Sequence, residues 1–396
     1  MRLASRLSPI KPSPTLALNA KAKALAAQGI DVVGFAAGEP DFDTPEFIKQ
    51  AAVDALKAGF TKYTATAGIP ELRQAICEKL ARDNKLDFKP EQVLVSCGAK
   101  HSLYNLFQAL LNEGDEVLII APYWVSYPEM VLLAGGKPVI VETREEDGFV
   151  PTPEAIRSAL TPRTRAIILN SPSNPTGAVF SRAALEGIAA AIRDHDCLVV
   201  SDDIYEKLLY AGEFANIGNV APDLVPRLVV VNGMSKSYSM TGWRLGYAAG
   251  PRALIAAMQM IQDQSTSNAS SIAQKAGLAA LQGPESTFAP MVAEYLARRD
   301  LFVAGLNALP GVSCRVPDGA FYVFPKISGL YGKRYKDQPL TGSLQVSQIL
   351  LDEFRVAAVP GEPFGADQHL RMSFVTSRAN IEKGLSRLRE FVASLT

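Results

Sequence analysis

Short, nearly continuous apolar runs alternate with longer amphipathic stretches through the middle of the chain. The runs are VLVSC at 93–97, EVLII at 116–120, KPVIVE at 137–142, RAIILN at 165–170, CLVVS at 197–201, RLVVVNG at 227–233 and GYAAG at 246–250. None shows the in–out alternation of a half-exposed strand; all suit strands buried on both faces of a mostly parallel sheet. Amphipathic segments at 101–112 and 183–194 lie between them. The pattern therefore predicts an α/β domain with helices on both faces of the sheet. Ligands of such sheets collect beyond the carboxyl ends of the strands, so the loops after these runs are where chemistry is expected.

The last third reads differently. A helix is predicted over 284–309, then GAFYVFP at 319–325, a helix at 344–353, strands RVAAVPG at 355–361 and LRMSF at 370–374, and a final helix at 381–395. This is the pattern of a smaller α+β domain on which the N-terminal segment packs. The expected division is a large domain at 43–284 and a discontinuous small one made of 1–42 with 285–396, within the two or three domains that 396 residues suggest.

Composition narrows the function. Lys plus Arg and Asp plus Glu number 40 each, and no basic stripe marks a nucleic-acid partner. Positive charge that matters must be local and aimed at a small anion. Cys77, Cys97, Cys197 and Cys314 are far apart and form no C-x-x-C pair, which reads as reduced thiols of a cytoplasmic protein. His101, His195 and His369 are scattered, so no metal site is expected. No apolar run approaches the roughly 18–20 residues that span a bilayer, and the N-terminal stretch lacks the apolar core of a secretory signal.

Four loops carry candidate chemistry. In NGMSKSYSMTGWRLGYAAG (232–250) a strand ends and a polar loop presents Lys236, with Arg244 eight residues on. A desolvated lysine becomes an amine nucleophile able to form a Schiff base with an aldehyde cofactor, and an arginine can grip a phosphate through two parallel N–H bonds. Alone, such a pair is most often an ordinary surface feature. In VVSDDIYEKLLY (199–210) a buried strand delivers Asp202, then Asp203 on the opposite side, then Tyr205. A carboxylate there can keep a pyridine nitrogen protonated; the plainer use is to cap a following helix. LNSPSNPTGAVFS (169–181) places Asn174 before Pro175, where a cis bond would aim the amide inward. In VSCGAKHSLYNLFQALL (95–111) the backbone N–H groups of Gly98, Ala99 and Lys100 open a helix, a ready anion site.

Taken together, and with FAAGEPDFDTP (35–45), TKYTATAGIPELR (61–73), APYWVSYPEM (121–130), GAFYVF and LRMSF, these segments span essentially the whole chain. In this order and spacing the sequence resembles the fold-type I, pyridoxal-phosphate-dependent class I aminotransferases, and within them the bacterial aspartate aminotransferase branch. The resemblance implies pyridoxal 5'-phosphate as cofactor, bound covalently by Lys236. It implies that Asp202 pairs with the pyridinium nitrogen, that Asn174 and Tyr205 bond the phenolic oxygen, and that Trp124 lies by the ring. It implies a phosphate cup of Arg244, Ser235, the Gly98–Lys100 amides and Tyr63, the last reaching in from a second subunit, so that a homodimer is the expected unit. Gly233 departs from the pattern, standing where many relatives have a phosphate-binding serine. Arg371 and the backbone of Gly38 are implied to bind the substrate α-carboxylate.

For specificity the resemblance points to Lys100 as the partner of a distal carboxylate, with Lys11, Ser13 and Thr15 of the KPSPT segment closing over it. That implies aspartate as amino donor and 2-oxoglutarate as acceptor by a ping-pong reaction, with prephenate a further substrate of some relatives. Rival readings are an aminotransferase for neutral or aromatic amino acids, a carbon–sulfur lyase of the same fold, and a transcription regulator, whose DNA-binding domain finds no room before Gly38. A dinucleotide enzyme is disfavoured because no G-x-G-x-x-G follows a strand.

Overall fold

The computed structural model describes residues 3–12 and 14–396, apart from the side chains of residues 14–16, 19 and 285. Each apolar run forms a strand: β1 Val93–Ser96, β2 Glu116–Ile120, β3 Lys137–Val141, β4 Thr164–Asn170, β5 Leu198–Asp202, β6 Leu228–Gly233 and β7 Gly246–Ala249. They form one seven-stranded sheet in the order β1-β7-β6-β5-β4-β2-β3. All neighbours are parallel except β7, which runs antiparallel to both β1 and β6.

Alternate residues of each strand enter opposite cores. Val95, Leu118, Ile167 and Val199 pack against helices on one face, and Leu94, Ile119, Ile168 and Val200 on the other. Burial on both faces is why the runs lack alternation, except at the edge strand β3, which is mostly only half-buried. The helix predicted at 101–112 forms as Ala99–Leu110, starting two residues earlier. That predicted at 183–194 forms as Arg182–Ile192, with the Ser181 hydroxyl accepting from the Ala184 N–H at 3.2 Å as its N-cap.

A second core surrounds the helices Ala289–Asn307 and Arg378–Ala393. The long helix predicted at 284–309 is broken: a 3₁₀ turn at Glu285–Phe288 precedes it, and Pro290 sits in its first turn, where a missing N–H costs nothing. The segment predicted as one strand at 355–361 also divides. Val356–Ala357 pairs with Val33–Gly34, while Val359–Pro360 joins Leu370–Ser373 and Tyr322–Val323 in an antiparallel sheet. The change of partner at Ala358 splits it. Gly384 lets the N-terminal segment lie against the last helix, since a Cβ there would fall 2.3 Å from the Phe35 ring. That ring is fully buried, 4.7 Å from the ring of Phe302.

Candidate active site

The carboxyl ends of β4, β5 and β6, the start of the helix Ala99–Leu110 and the strand Leu370–Ser373 enclose a cavity of about 350 Å³. Lys236, Asp202, Tyr205, Asn174, Ser235, Arg244, Ala99, Lys100, Trp124, Gly38 and Arg371 all line it. Residues from 38 to 371 in the chain thus meet at one place.

Lys236 follows β6, and its ammonium donates to the Gly38 carbonyl oxygen. The side chain borders the cavity and is only half-buried by area, yet protein surrounds its Nζ closely enough to strip much of its hydration. Burial, reinforced by the positive charge of Arg371, pushes its pKa down from 10.5 to about 8. Asp202 ends β5 and is 3 % exposed. The Tyr127 hydroxyl donates to one of its oxygens at 2.6 Å, and the Ile204 N–H reaches the other at 3.4 Å. Burial still wins over these bonds and raises its carboxyl from 3.8 to about 6. Asp203 turns away, accepting from Ser201 at 2.6 Å and Asn216 at 2.5 Å. Turns, not a helix, follow it, so neither aspartate is a helix cap.

The anion cradle depends on two close approaches. Gly98 has φ +89, and a Cβ there would lie 2.7 Å from Arg244 Nη2; a Cβ on Gly246 would lie 2.3 Å from the Ala99 nitrogen. Only glycines allow the helix start, β7 and Arg244 to converge. Arg244 itself sits at φ +53, with Nη1 donating to the Thr241 carbonyl at 3.0 Å. One expectation is corrected here. The Gly98 N–H already donates to the Ser96 carbonyl at 2.7 Å, so the helix N-terminus offers the Ala99 and Lys100 amides only. The departure at Gly233 also has a physical reason: its Cβ would meet Gly246 Cα at 2.9 Å across the β6–β7 pair. A serine has no room there.

Arg371 is 2 % exposed. It donates to Asn174 Oδ1 at 3.3 Å and to the Ala36 carbonyl at 2.8 Å, and its guanidinium lies 4.6 Å over the Tyr322 ring. Its Nε finds no partner among the described residues. A buried, fixed, incompletely satisfied guanidinium lining a cavity has the chemistry to take a carboxylate. Lys100 extends over the Trp124 ring, 4.8 Å from its centroid. Burial and then the charge of Arg244 lower its pKa. Tyr205 shares a 2.9 Å hydrogen bond with the Tyr322 hydroxyl. The Asn174–Pro175 bond is cis.

Some expected residues are not brought to this cavity. Tyr63 is 92 % exposed. Lys11 is exposed, its backbone N–H donating to Glu129 at 3.1 Å. Ser13 and the Thr15 side chain lie outside the described residues. Three site residues escaped sequence reasoning. Tyr127 holds Asp202; Asn170 donates to the Asp202 carbonyl at 3.0 Å and accepts from the Asn174 N–H at 2.9 Å; Tyr322 stacks under Arg371. Only the position of Asn170, at the end of an apolar run, could have marked it.

Among the described residues no group of three or more His, Cys, Asp or Glu could hold a metal ion, and no helix is long and apolar enough to cross a membrane. The family model for aminotransferase class I and II matches residues 30–388. The aspartate/prephenate aminotransferase of Cereibacter sphaeroides is 50% identical, over 100% of this chain and 99% of its own. The aspartate aminotransferase of Geobacillus stearothermophilus is 47% identical, over 99% of each. Among solved structures, the aspartate aminotransferase of Rhizobium meliloti superposes with a TM-score of 0.97 at 43% identity, covering 100% of both chains. That of Thermus thermophilus with maleate gives 0.93 at 48% identity, covering 98% of this chain and 100% of that one.

Proposed function

The chain belongs to the class I and II aminotransferases, and from that membership we propose that it moves the amino group of L-aspartate to 2-oxoglutarate, giving oxaloacetate and L-glutamate, in a ping-pong cycle with pyridoxal 5'-phosphate. The observation that carries the reading is the cationic pair Arg371 and Lys100 lining one cavity with the depressed lysine Lys236. Two separate cations suit a substrate with two carboxylates.

The cavity's residues fit the cofactor. Lys236 is an amine held near neutrality, Asp202 is a buried carboxylate, and Arg244, Ser235 and two helix-terminal amides form a phosphate cradle in which side chains at positions 98 and 246 would collide. When bound, pyridoxal phosphate supplies an aldehyde that captures amines and a protonated ring that draws electrons from the substrate Cα. Asp202, kept in place by Tyr127, would hold a proton on the ring nitrogen. Tyr205 and Asn174 would bond the phenolic oxygen, and Trp124 would flank the ring. Arg371 takes the α-carboxylate by a two-pronged contact, with the Gly38 backbone beside it, and Lys100 takes the distal carboxylate. Lys236, as a neutral amine beside the substrate, would serve as the base that takes the Cα proton and as the acid that gives it back.

In this reading Tyr63 completes the cradle of a second copy, making a homodimer the working unit, and Lys11, Ser13 and Thr15 close over the distal carboxylate. Residues 43–284 form the large domain, and 1–42 with 285–396 the smaller one. The setting is the cytoplasm, where the four free thiols stay reduced.

A second reading, prephenate as amino acceptor, is favoured by relatives that carry both names at 47% and 50% identity, since prephenate also bears two carboxylates. The test is the absorbance spectrum of the loaded protein. Aspartate should bleach the visible band with stoichiometric oxaloacetate, and prephenate should restore it if the second reading holds. A protein that stays colourless with added pyridoxal phosphate refutes both.

A further inference from the structure

Two buried glutamines lie outside the cavity and take no part in the chemistry above. Gln262 and Gln274 are both fully buried. Gln262 makes four hydrogen bonds: its oxygen accepts from Ser96 Oγ at 2.9 Å and Asn105 Nδ2 at 3.0 Å, and its amide donates to the carbonyls of Thr66 at 3.0 Å and Val95 at 2.8 Å. Gln274 accepts from the Ile69 N–H at 2.7 Å and donates to Thr64 Oγ1 at 3.0 Å and the Ala269 carbonyl at 2.8 Å. A buried primary amide is costly unless its donors and acceptors are met, and once met it fixes one arrangement.

What these amides hold is a loop without regular structure, residues 61–69. Such a loop has no ladder of its own to set its course. Gln274 grips it at Thr64 and Ile69, and Gln262 at Thr66. Gly68, at φ +102, presses the same loop onto β1; a Cβ there would lie 2.6 Å from Val95. Directly before the first grip stands Tyr63, 92 % exposed. An aromatic residue held out from a loop so firmly anchored is presented, not merely tolerated.

We propose that Gln262 and Gln274 are positioning residues that aim Tyr63 at the phosphate cradle of a second copy of this chain. The inference rests on the shared-site reading above. Neither glutamine lines the cavity of its own subunit; Gln274 reaches only the loop and the Ala269 carbonyl, so it acts through the loop, whereas Gln262 also holds Ser96 and Asn105 of the strand and helix beside its own cradle.

The test is a double-mutant cycle on the holoenzyme. The release rate of pyridoxal phosphate into an excess of scavenging apoenzyme is measured for wild type, Tyr63→Phe, Gln274→Met and the double variant, with Gln262→Met in parallel. Thermal melts select the variants that remain folded. Tyr63→Phe should speed release on the order of ten-fold, the loss of one hydrogen bond to a charged phosphate. Gln274→Met should speed it by a similar factor, and adding it to Tyr63→Phe should change nothing further. Additive effects, or a silent glutamine variant beside an active Tyr63→Phe, overturn the inference. If Tyr63→Phe is itself silent, the shared-site reading fails and takes the inference with it, a result distinct from the other two. Should Gln274→Met not fold, Thr64→Val, which removes the loop-side acceptor of Gln274 together with the 3.2 Å bond from the Thr64 hydroxyl to the neighbouring Ala65 carbonyl, replaces it in the cycle with the same expected non-additivity.

Discussion

In the proposed function Lys236 captures the cofactor's aldehyde, so its lowered pKa would set the pH at which the cofactor-free protein does so. The attacking species is the neutral amine. With the pKa at about 8, about a quarter of the protein is reactive at pH 7.5; at the ordinary 10.5 only about 0.1 % would be, roughly two hundred-fold less. Because the value is depressed, the neutral fraction grows as pH rises and levels off above about 9. The assay is the initial rate of absorbance change when limiting pyridoxal phosphate meets excess cofactor-free protein, followed from pH 6 to pH 10. A single inflection between about 7 and 9 is expected. Arg371→Gln removes one of the charges that depress Lys236, so its inflection should move up in pH. An inflection near 10 in the wild type would show a solvated lysine and refute the account. No inflection at all would show that another step limits capture.

Arg371→Lys should lower kcat/KM about a hundred-fold for aspartate and for neutral amino acids alike, because both present the same α-carboxylate to the lost fork; a loss confined to aspartate would reassign Arg371. Lys100→Ala should raise the KM of aspartate about ten-fold or more while leaving that of alanine nearly unchanged, and equal changes would remove Lys100 from the distal subsite. Asp202→Asn should abolish turnover yet stabilise the cofactor-free protein at pH 7. The folded carboxyl keeps its proton up to about 6 and the unfolded one only to 3.8, so native stability falls as pH rises through that window, by about 3 kcal/mol in all. Thermal unfolding at pH 7 and at pH 3.5 checks this: a higher midpoint for the variant at pH 7 that vanishes at pH 3.5 is expected, and a lower midpoint at pH 7 would contradict it.

The seven strands were legible because burial on both faces leaves a run of apolar residues that little else produces. The direction of β7 was not, since GYAAG reads the same whichever way it pairs. Arg371, inside LRMSF, was read from the resemblance alone, whereas Lys236, Asp202, Asn174 and Arg244 stood out as polar residues in the segments that follow or precede apolar runs. Their supporters did not. Tyr127 sits at core spacing with Met130 and Val131 in its own helix, and Tyr322 lies within an apolar run, so each passes for packing. The Gly98 amide was misjudged because a positive φ, which lets its N–H turn back to Ser96, is invisible in the letters GAK. Residues that act beyond their own chain are harder still. Tyr63 is read from resemblance alone, and a single chain shows only that it is held out into solvent.

The charges of the cavity imply an order of events. Lys236, Arg244, Arg371 and Lys100 crowd one space with Asp202 and Glu39 as the carboxylates lining it. Arg371 and Arg244 both depress Lys236, and Arg244 depresses Lys100. In the proposed function each arginine also takes an anion, a phosphate at Arg244 and a carboxylate at Arg371. An anion on either arginine would offset its charge, leaving burial, the larger cause, to hold the Lys236 pKa down. Lys236 therefore has its largest neutral fraction before either arginine has taken its anion. It becomes more basic once the anions sit on the arginines, when it must take a proton from carbon. The same two arginines that bind the ligands thus time the change in what the lysine does.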